Sequence, residues 1–260
     1  MKKISILLII LSGLLVSCKK ETITPPEPFP TSIVNDTTGF LEIHIGNVVN
    51  GAPLSLSTAT YVSASNDTFS VDIFKYYISN VKLVSVSGHT YTEAESYYFV
   101  NQADPNTLHL MVKKIPSEQY ASINFLIGVD SVRNFSGAQS GALDPINDMF
   151  WDWNTGYIMA KMEGHSPQST QLTKKLVYHI GGYGGKFKGI RQVSLSFPNN
   201  AIVTKNHTPI LSLQADLYKW FISPNFSDFN TASVITGIGN ESSAMADNYA
   251  TMFSVISVTN

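Results

Sequence analysis

Histidines are the residues of this 260-residue chain best suited to holding a metal ion, and there are six of them. No two fall at the H-x-H or H-x-x-x-H spacing of a compact zinc or copper motif, so a site would have to be assembled from distant strands. His44 and His179 are the strongest candidates, because each lies inside an otherwise apolar or aromatic run. His179 also precedes Gly181-Gly182, which would let a ligand or backbone approach closely. The alternative is that both are ordinary structural or exposed histidines, as we expect of three that adjoin turn residues: His89, His165 and His207.

Other catalytic signatures are missing from the sequence. It has no G-x-S-x-G element, and its single cysteine lies near the N-terminus. The glycine-rich stretch 181–186 fails as a phosphate-binding loop, because Phe187 stands where Ser or Thr would hold magnesium. Three aspartates with Asn147 among them lack the glycine and the terminal glutamate of an EF-hand: Asp144, Asp148 and Asp152. We therefore predict a binding protein and not an enzyme.

The elements that must position these residues are strands. From about Phe40, apolar and polar residues alternate with period two in many short segments separated by Gly, Pro and Asn. This pattern predicts an all-β fold, an antiparallel β-sandwich with few short helices, in one domain over 38–260. The best helical spacing is the series Met245, Tyr249, Met252, Phe253 and Ile256, with a strand over 253–258 as its alternative.

Composition excludes two classes of protein. The chain has 17 Lys+Arg against 19 Asp+Glu, so it lacks the basic surplus of a nucleic-acid binder. Its 43% hydrophobic content excludes wholesale disorder. The low charged fraction, 14%, is typical of exported β-proteins.

The N-terminus predicts export and lipidation. Lys2 and Lys3 precede an apolar run that is too short to span a membrane comfortably, and the run ends in Leu-Val-Ser-Cys at Cys18. This resembles a bacterial lipobox, which implies a signal peptide over 1–17 and a lipidated Cys18. The Pro-rich stretch within 18–37 would then be a tether. We expect an outer membrane lipoprotein facing the periplasm or the cell surface; the alternative is an ordinary signal peptide with an incidental cysteine.

The most distinctive stretch is GALDPINDMFWDWNTGYI, residues 141–158. Together with KMEG at 161–164 and YHIGG at 178–182, it resembles the MbnP-like copper-binding family. KYYISNV at 75–81 and IGVDS at 127–131 also resemble that family, in its lipoprotein-bearing bacterial branch. The likeness extends from about residue 40 to about residue 197, and its W-x-W-x-x-G-Y element followed by H-[IL]-G-[GS] is fairly specific.

The resemblance implies a β-rich envelope protein associated with copper. In relatives, copper(I) is held by histidines and a nearby tryptophan is oxidised to kynurenine, with a di-haem enzyme related to cytochrome c peroxidases as the modifying partner. The W-x-W motif falls on Trp151 and Trp153, and the H-x-G motif on His179. His44 falls where the family's early strand often carries a histidine. Which tryptophan is modified stays open.

The residues themselves are compatible with this chemistry. Imidazoles bind copper well, and Cu(I) accepts two or three ligands. Trp151 and Trp153 would share one face of an extended segment, and Met149 offers a soft thioether nearby. The sequence hypothesis is therefore a copper site of His44 and His179 beside a tryptophan. The rival hypothesis is a surface module that binds glycan or protein without metal, through exposed Tyr, Phe and Asn.

Overall fold

The alternating pattern that begins near Phe40 forms strands in the computed structural model. The structure describes residues 37–151, 156–222 and 224–260, which fall within a compact unit spanning Asp36–Asn260. The predicted signal peptide, Cys18, nearly all of the tether and Trp153 lie outside the described residues. Within the described ranges, no helix combines the length and the apolarity needed to cross a bilayer.

Fourteen strands and two α-helices make up the regular structure of the described residues. The strands are β1 (Thr38–Val49), β2 (Ala52–Pro53), β3 (Tyr61–Val62), β4 (Thr68–Ser85), β5 (Thr90–Thr92), β6 (Tyr97–Asn101), β7 (His109–Pro116), β8 (Gln119–Ile127), β9 (Ala160–His165), β10 (Lys175–Ile180), β11 (Arg191–Ile202), β12 (Ile210–Asp216), β13 (Val234–Gly237) and β14 (Phe253–Thr259). The helices are α1 (Ser131–Phe135) and α2 (Asn240–Tyr249), with short 3-10 turns at Pro105–Leu108, Gly141–Leu143, Pro145–Asn147 and Leu217–Phe221.

The strands form two sheets. The smaller sheet has the order β14-β12-β1-β2, with β7 also paired to β1; the larger has the order β11-β8-β4-β9-β10-β13, with β3, β5 and β6 paired to β4. The predicted all-β sandwich is confirmed. Two strand pairs, β1–β12 and β10–β13, are parallel and depart from the antiparallel expectation.

The main core lies between the sheets. On β1, Leu41, Ile43 and Ile45 are buried while the residues between them are more exposed. From β14 in the smaller sheet, the Phe253 ring packs edge-on against Tyr76 and Phe125 of the larger sheet, with centroids 5.7 and 5.1 Å away. The polar residues Glu42 and His44 of β1 therefore lie on the outer face of the smaller sheet.

A second, smaller core covers part of the outer face of the larger sheet. It is formed by Tyr77 of β4 and residues that follow β8 along the chain: Val129, Leu143, Met149, Trp151, Tyr157, Ile158 and Met159. Trp151 thus packs on the outside of the sandwich.

Only the first part of the segment with helical spacing near the C-terminus forms a helix. Helix α2 ends at Tyr249, and β14 begins at Phe253. Phe253 and Val255 pair with Ala215 and Leu213 of β12, so cross-strand pairing takes over from the helical pattern at this point. The alternative strand over 253–258 is the structure that forms.

We predict that Gly164→Ala destabilises the fold by about 1–3 kcal/mol through overpacking. An added Cβ at Gly164 of β9 would lie 2.0 Å from the Ser70 carbonyl oxygen on β4. Urea unfolding measures the loss. Gly184→Ala is the matched control, because its Cβ would meet nothing within 4 Å. Equal stability of the two variants would contradict the close β4–β9 packing.

Candidate metal centre

Two histidines and a glutamate converge on the outer face of the smaller sheet. His44 of β1 and His109 of β7 are register partners, and their rings meet edge to face with centroids 4.4 Å apart. His44 Nε2 lies 2.7 Å from Glu42 Oε1, and His109 Nδ1 lies 3.8 Å from the same oxygen. One ligand atom from each residue lies within 4.8 Å of the other two. We call this group the Glu42–His109 centre.

Regular secondary structure fixes this geometry. Glu42 and His44 alternate along β1 with buried residues, so both side chains leave the same face. The outer edge of β7 is secured by side chains. Tyr98 Oη donates to the Met111 carbonyl at 3.0 Å, and the Lys113 amide donates to Glu93 Oε1 at 3.2 Å. His109 therefore lies on a strand that is held along both of its edges.

The centre is reachable from solvent and carries the right donor types. The exposed side-chain fractions are 35% for His44, 54% for His109 and 31% for Glu42. Two imidazoles and a carboxylate are ligands that copper or zinc accepts. Among the described residues, this is the one group of three or more His, Cys, Asp or Glu with such convergence.

His179 lies in a different environment, on the outer face of the larger sheet. Its Nε2 is 2.8 Å from Glu163 Oε1, on the neighbouring strand β9. Lys161 Nζ is 3.7 Å from that glutamate oxygen and also donates to the Asp148 carboxylate. Lys75 joins the group by donating to the Asn147 carbonyl at 3.0 Å. The charges that act on the His179 imidazole are thus those of Glu163, Lys161 and Asp148.

Burial lowers the pKa of His179, and the nearby Lys161 charge acts in the same direction. The hydrogen bond to Glu163 opposes both effects. A carboxylate only accepts, so Nε2 carries the hydrogen in this bond. The other nitrogen, Nδ1, is then the acceptor of a neutral imidazole, which is the form that binds metals.

Trp151 packs close to His179. A Cβ added at Gly181, two residues after His179, would lie 2.1 Å from the Trp151 ring, so the indole lies directly on the Gly181 backbone. Residues two apart on extended chain point to one side, which places Trp151 on the His179 side of the sheet. Met149 is fully buried in the same small core. The first tryptophan of the W-x-W motif therefore meets the H-x-G motif here.

The structure separates the two histidines chosen from sequence. His44 lies in the smaller sheet with Glu42 and His109, and His179 lies in the larger sheet with Glu163 and Trp151. Sequence reasoning did not single out His109, because its partnership with His44 depends on strand register. Of the expected loop histidines, His165 instead ends β9, where its Nδ1 lies 2.8 Å from Asp72 Oδ2.

Comparison with known proteins decides the family. The MbnP family model matches residues 38–241, which is most of the chain. The chain belongs to the MbnP family. Its fold also resembles the solved structure of MbnP from Methylosinus trichosporium, with a TM-score of 0.51 and 13% identity over 78% of this chain and 82% of that one. A search of curated proteins gives no match.

The predicted membership is thereby confirmed, and the likeness to the solved MbnP structure extends to the fold alone at this identity. The match covers His44, His109 and Glu42, as well as Trp151, His179 and Glu163. Both histidine sites of this MbnP-family chain thus lie within the matched domain.

We predict that Glu163→Gln lowers the pKa of His179 further. The substitution removes the acceptor charge that stabilises the imidazolium, while burial and Lys161 still act against it. Titration of the His179 ring by NMR measures the change. Glu118→Gln, which alters the glutamate bonded to His89, should leave His179 unaffected. A raised His179 pKa in Glu163→Gln would contradict this account.

Proposed function

We propose that this protein is a lipid-anchored copper-binding protein of the cell envelope, with no turnover of its own, and that Glu42, His44 and His109 hold the metal. The observation that carries the proposal is the convergence of two imidazoles and one carboxylate within 4.8 Å on a rigid sheet face. Membership of the MbnP family supports copper as the metal.

The donor set fits copper. Imidazole nitrogens bind copper in either oxidation state, and Cu(I) is satisfied by few ligands. Glu42 Oε1 lies 2.7 Å from His44 Nε2, so the carboxylate also orients the ring. The partial exposure of all three side chains would allow copper to be loaded and released without opening the core.

The tryptophan chemistry expected from the family belongs to the larger sheet. We propose that Trp151 or Trp153 is the residue oxidised to kynurenine, by a di-haem partner related to cytochrome c peroxidases. The support is that Trp151 lies against Gly181, next to His179 of the H-x-G motif. Copper binding and tryptophan oxidation would then use opposite outer faces of the sandwich.

The location of the protein is proposed from the N-terminus. A lipobox at Cys18 followed by a Pro-rich tether supports an outer membrane lipoprotein that faces the periplasm or the cell surface. Copper taken up at the Glu42–His109 centre would be held near the membrane by the acylated cysteine.

We predict that the double substitution His44→Ala and His109→Ala abolishes stoichiometric copper binding, because it removes both imidazoles. Copper titration of the purified protein against a competing chelator measures this. His89→Ala removes another histidine that lies beside a glutamate and should bind copper like the natural protein.

His179→Ala distinguishes the two histidine sites. Retained copper stoichiometry in this variant supports the Glu42–His109 centre. Loss of binding in His179→Ala, with full binding in the double variant, would instead move the metal to the Trp151 side. Glycan binding that survives chelation, in a protein that takes up no copper, would favour the surface-module alternative.

We predict a mass gain on the tryptic peptide Asn134–Lys161, which contains both Trp151 and Trp153, when the protein is made in its native host. Peptide mass spectrometry detects the modification. The peptide that begins at Trp220 is the internal control, because that tryptophan is fully buried in the main core. An unmodified 134–161 peptide with the haem partner present would contradict the oxidation proposal.

A further inference from the structure

Met111 stands beside the proposed copper centre on the same sheet face. We propose that its thioether is a ligand of the bound ion and makes the Glu42–His109 centre selective for Cu(I). This inference rests on the proposed function and adds a residue that no metal-binding spacing reveals.

Strand register brings Met111 to the centre. Met111 is the partner of Glu42 across β1 and β7, just as His109 is the partner of His44. Residues directly opposite in an antiparallel pair have Cβ atoms about 4.5–5.5 Å apart. Since Met111 and His109 are two residues apart on β7, both point to the outer face. The four side chains thus form a square: Glu42, His44, His109 and Met111.

Met111 differs in burial from the other methionines of the described residues. It is 37% exposed, whereas the remaining five are at most 2% exposed: Met149, Met159, Met162, Met245 and Met252. Its strand neighbours Leu110 and Val112 point inward and are 3% and 0% exposed. Met111 therefore adds little to the core, and its side chain is partly open to solvent.

The backbone of Met111 is held in place. Its carbonyl accepts a hydrogen bond from Tyr98 Oη at 3.0 Å, and Tyr98 Oη in turn lies 2.7 Å from Glu93 Oε1. A long, unbranched side chain on a fixed backbone position can reach a neighbouring ion without moving the strand.

The ligand types of these four side chains predict which metal ions they prefer. Thioether sulfur is a soft ligand that selects Cu(I), and carboxylate is a hard ligand that suits Zn(II) or Cu(II). The single cysteine is Cys18 in the predicted anchor, so methionine is the sulfur donor that the domain can offer. We infer that the imidazole pair binds either ion, with Met111 serving Cu(I) and Glu42 serving the harder ions.

The test compares Met111→Leu with the natural protein in Cu(I) and Zn(II) competition titrations under anaerobic conditions. Loss of a residue that only hydrogen-bonds to a metal ligand already lowers metal affinity roughly tenfold. Loss of Met111, a proposed ligand itself, should lower Cu(I) affinity by at least that factor and leave Zn(II) affinity unchanged. Glu42→Gln should show the reverse order, with Zn(II) affinity reduced more than Cu(I) affinity. Met245→Leu, a buried methionine on α2, is the matched control and should change neither.

X-ray absorption of the Cu(I)-loaded natural protein tests, without any variant, whether a sulfur atom binds the ion. A sulfur scatterer in the first shell supports Met111, and a shell of nitrogen and oxygen alone overturns the inference. If Cu(I) binds through His44 and His109 but Met111→Leu binds equally well, this inference fails and the proposed function stands. If the natural protein binds no copper, both fail together.

Discussion

The antiparallel pairing of β1 with β7 is the constraint on which the proposed centre depends. It places His109 opposite His44 and Met111 opposite Glu42, although His109 lies 65 residues after His44 in the chain (109 − 44 = 65). A slip of one residue would turn every side chain of β7 to the other face. Buried Leu110, Val112 and Ile115 oppose such a slip, because it would expose them to solvent. Core packing thus determines the geometry of a polar surface site.

The two outer faces of the sandwich carry different chemistry. The face of the smaller sheet is open, and its imidazole pair is accessible. Part of the larger sheet's face is covered by a segment in which Trp151 packs on Gly181 and Asp148 accepts from Lys161. The family resemblance read from sequence puts the tryptophan and histidine motifs at one site, and the fold does bring Trp151 near His179. The imidazole that lies beside His44 is that of His109, on a strand outside those motifs.

Sequence predicted the local structure well and the long-range contacts only in part. Period-two alternation identified β1, β8, β10, β11 and β12, since one face of each strand packs on the core. His44 was identifiable as a polar residue within an apolar strand. His109 was not, because it begins its strand and its partner is set by register. The C-terminal segment changes from helix to strand after Tyr249, where pairing with β12 outweighs helical spacing.

Electrostatics gives a reason why a cation would prefer the smaller sheet. At the Glu42–His109 centre, the Glu42 carboxylate faces two imidazoles, so a bound cation gains from its charge. At His179, the Glu163 carboxylate is shared with Lys161, whose side chain is 4% exposed. A cation there would meet the buried Lys161 ammonium group, whose repulsion is weakly screened in a poorly solvated setting. Lys161 instead favours a neutral imidazole beside an indole, so the two roles of the proposed function, holding metal and presenting Trp151, would fall on different sheets.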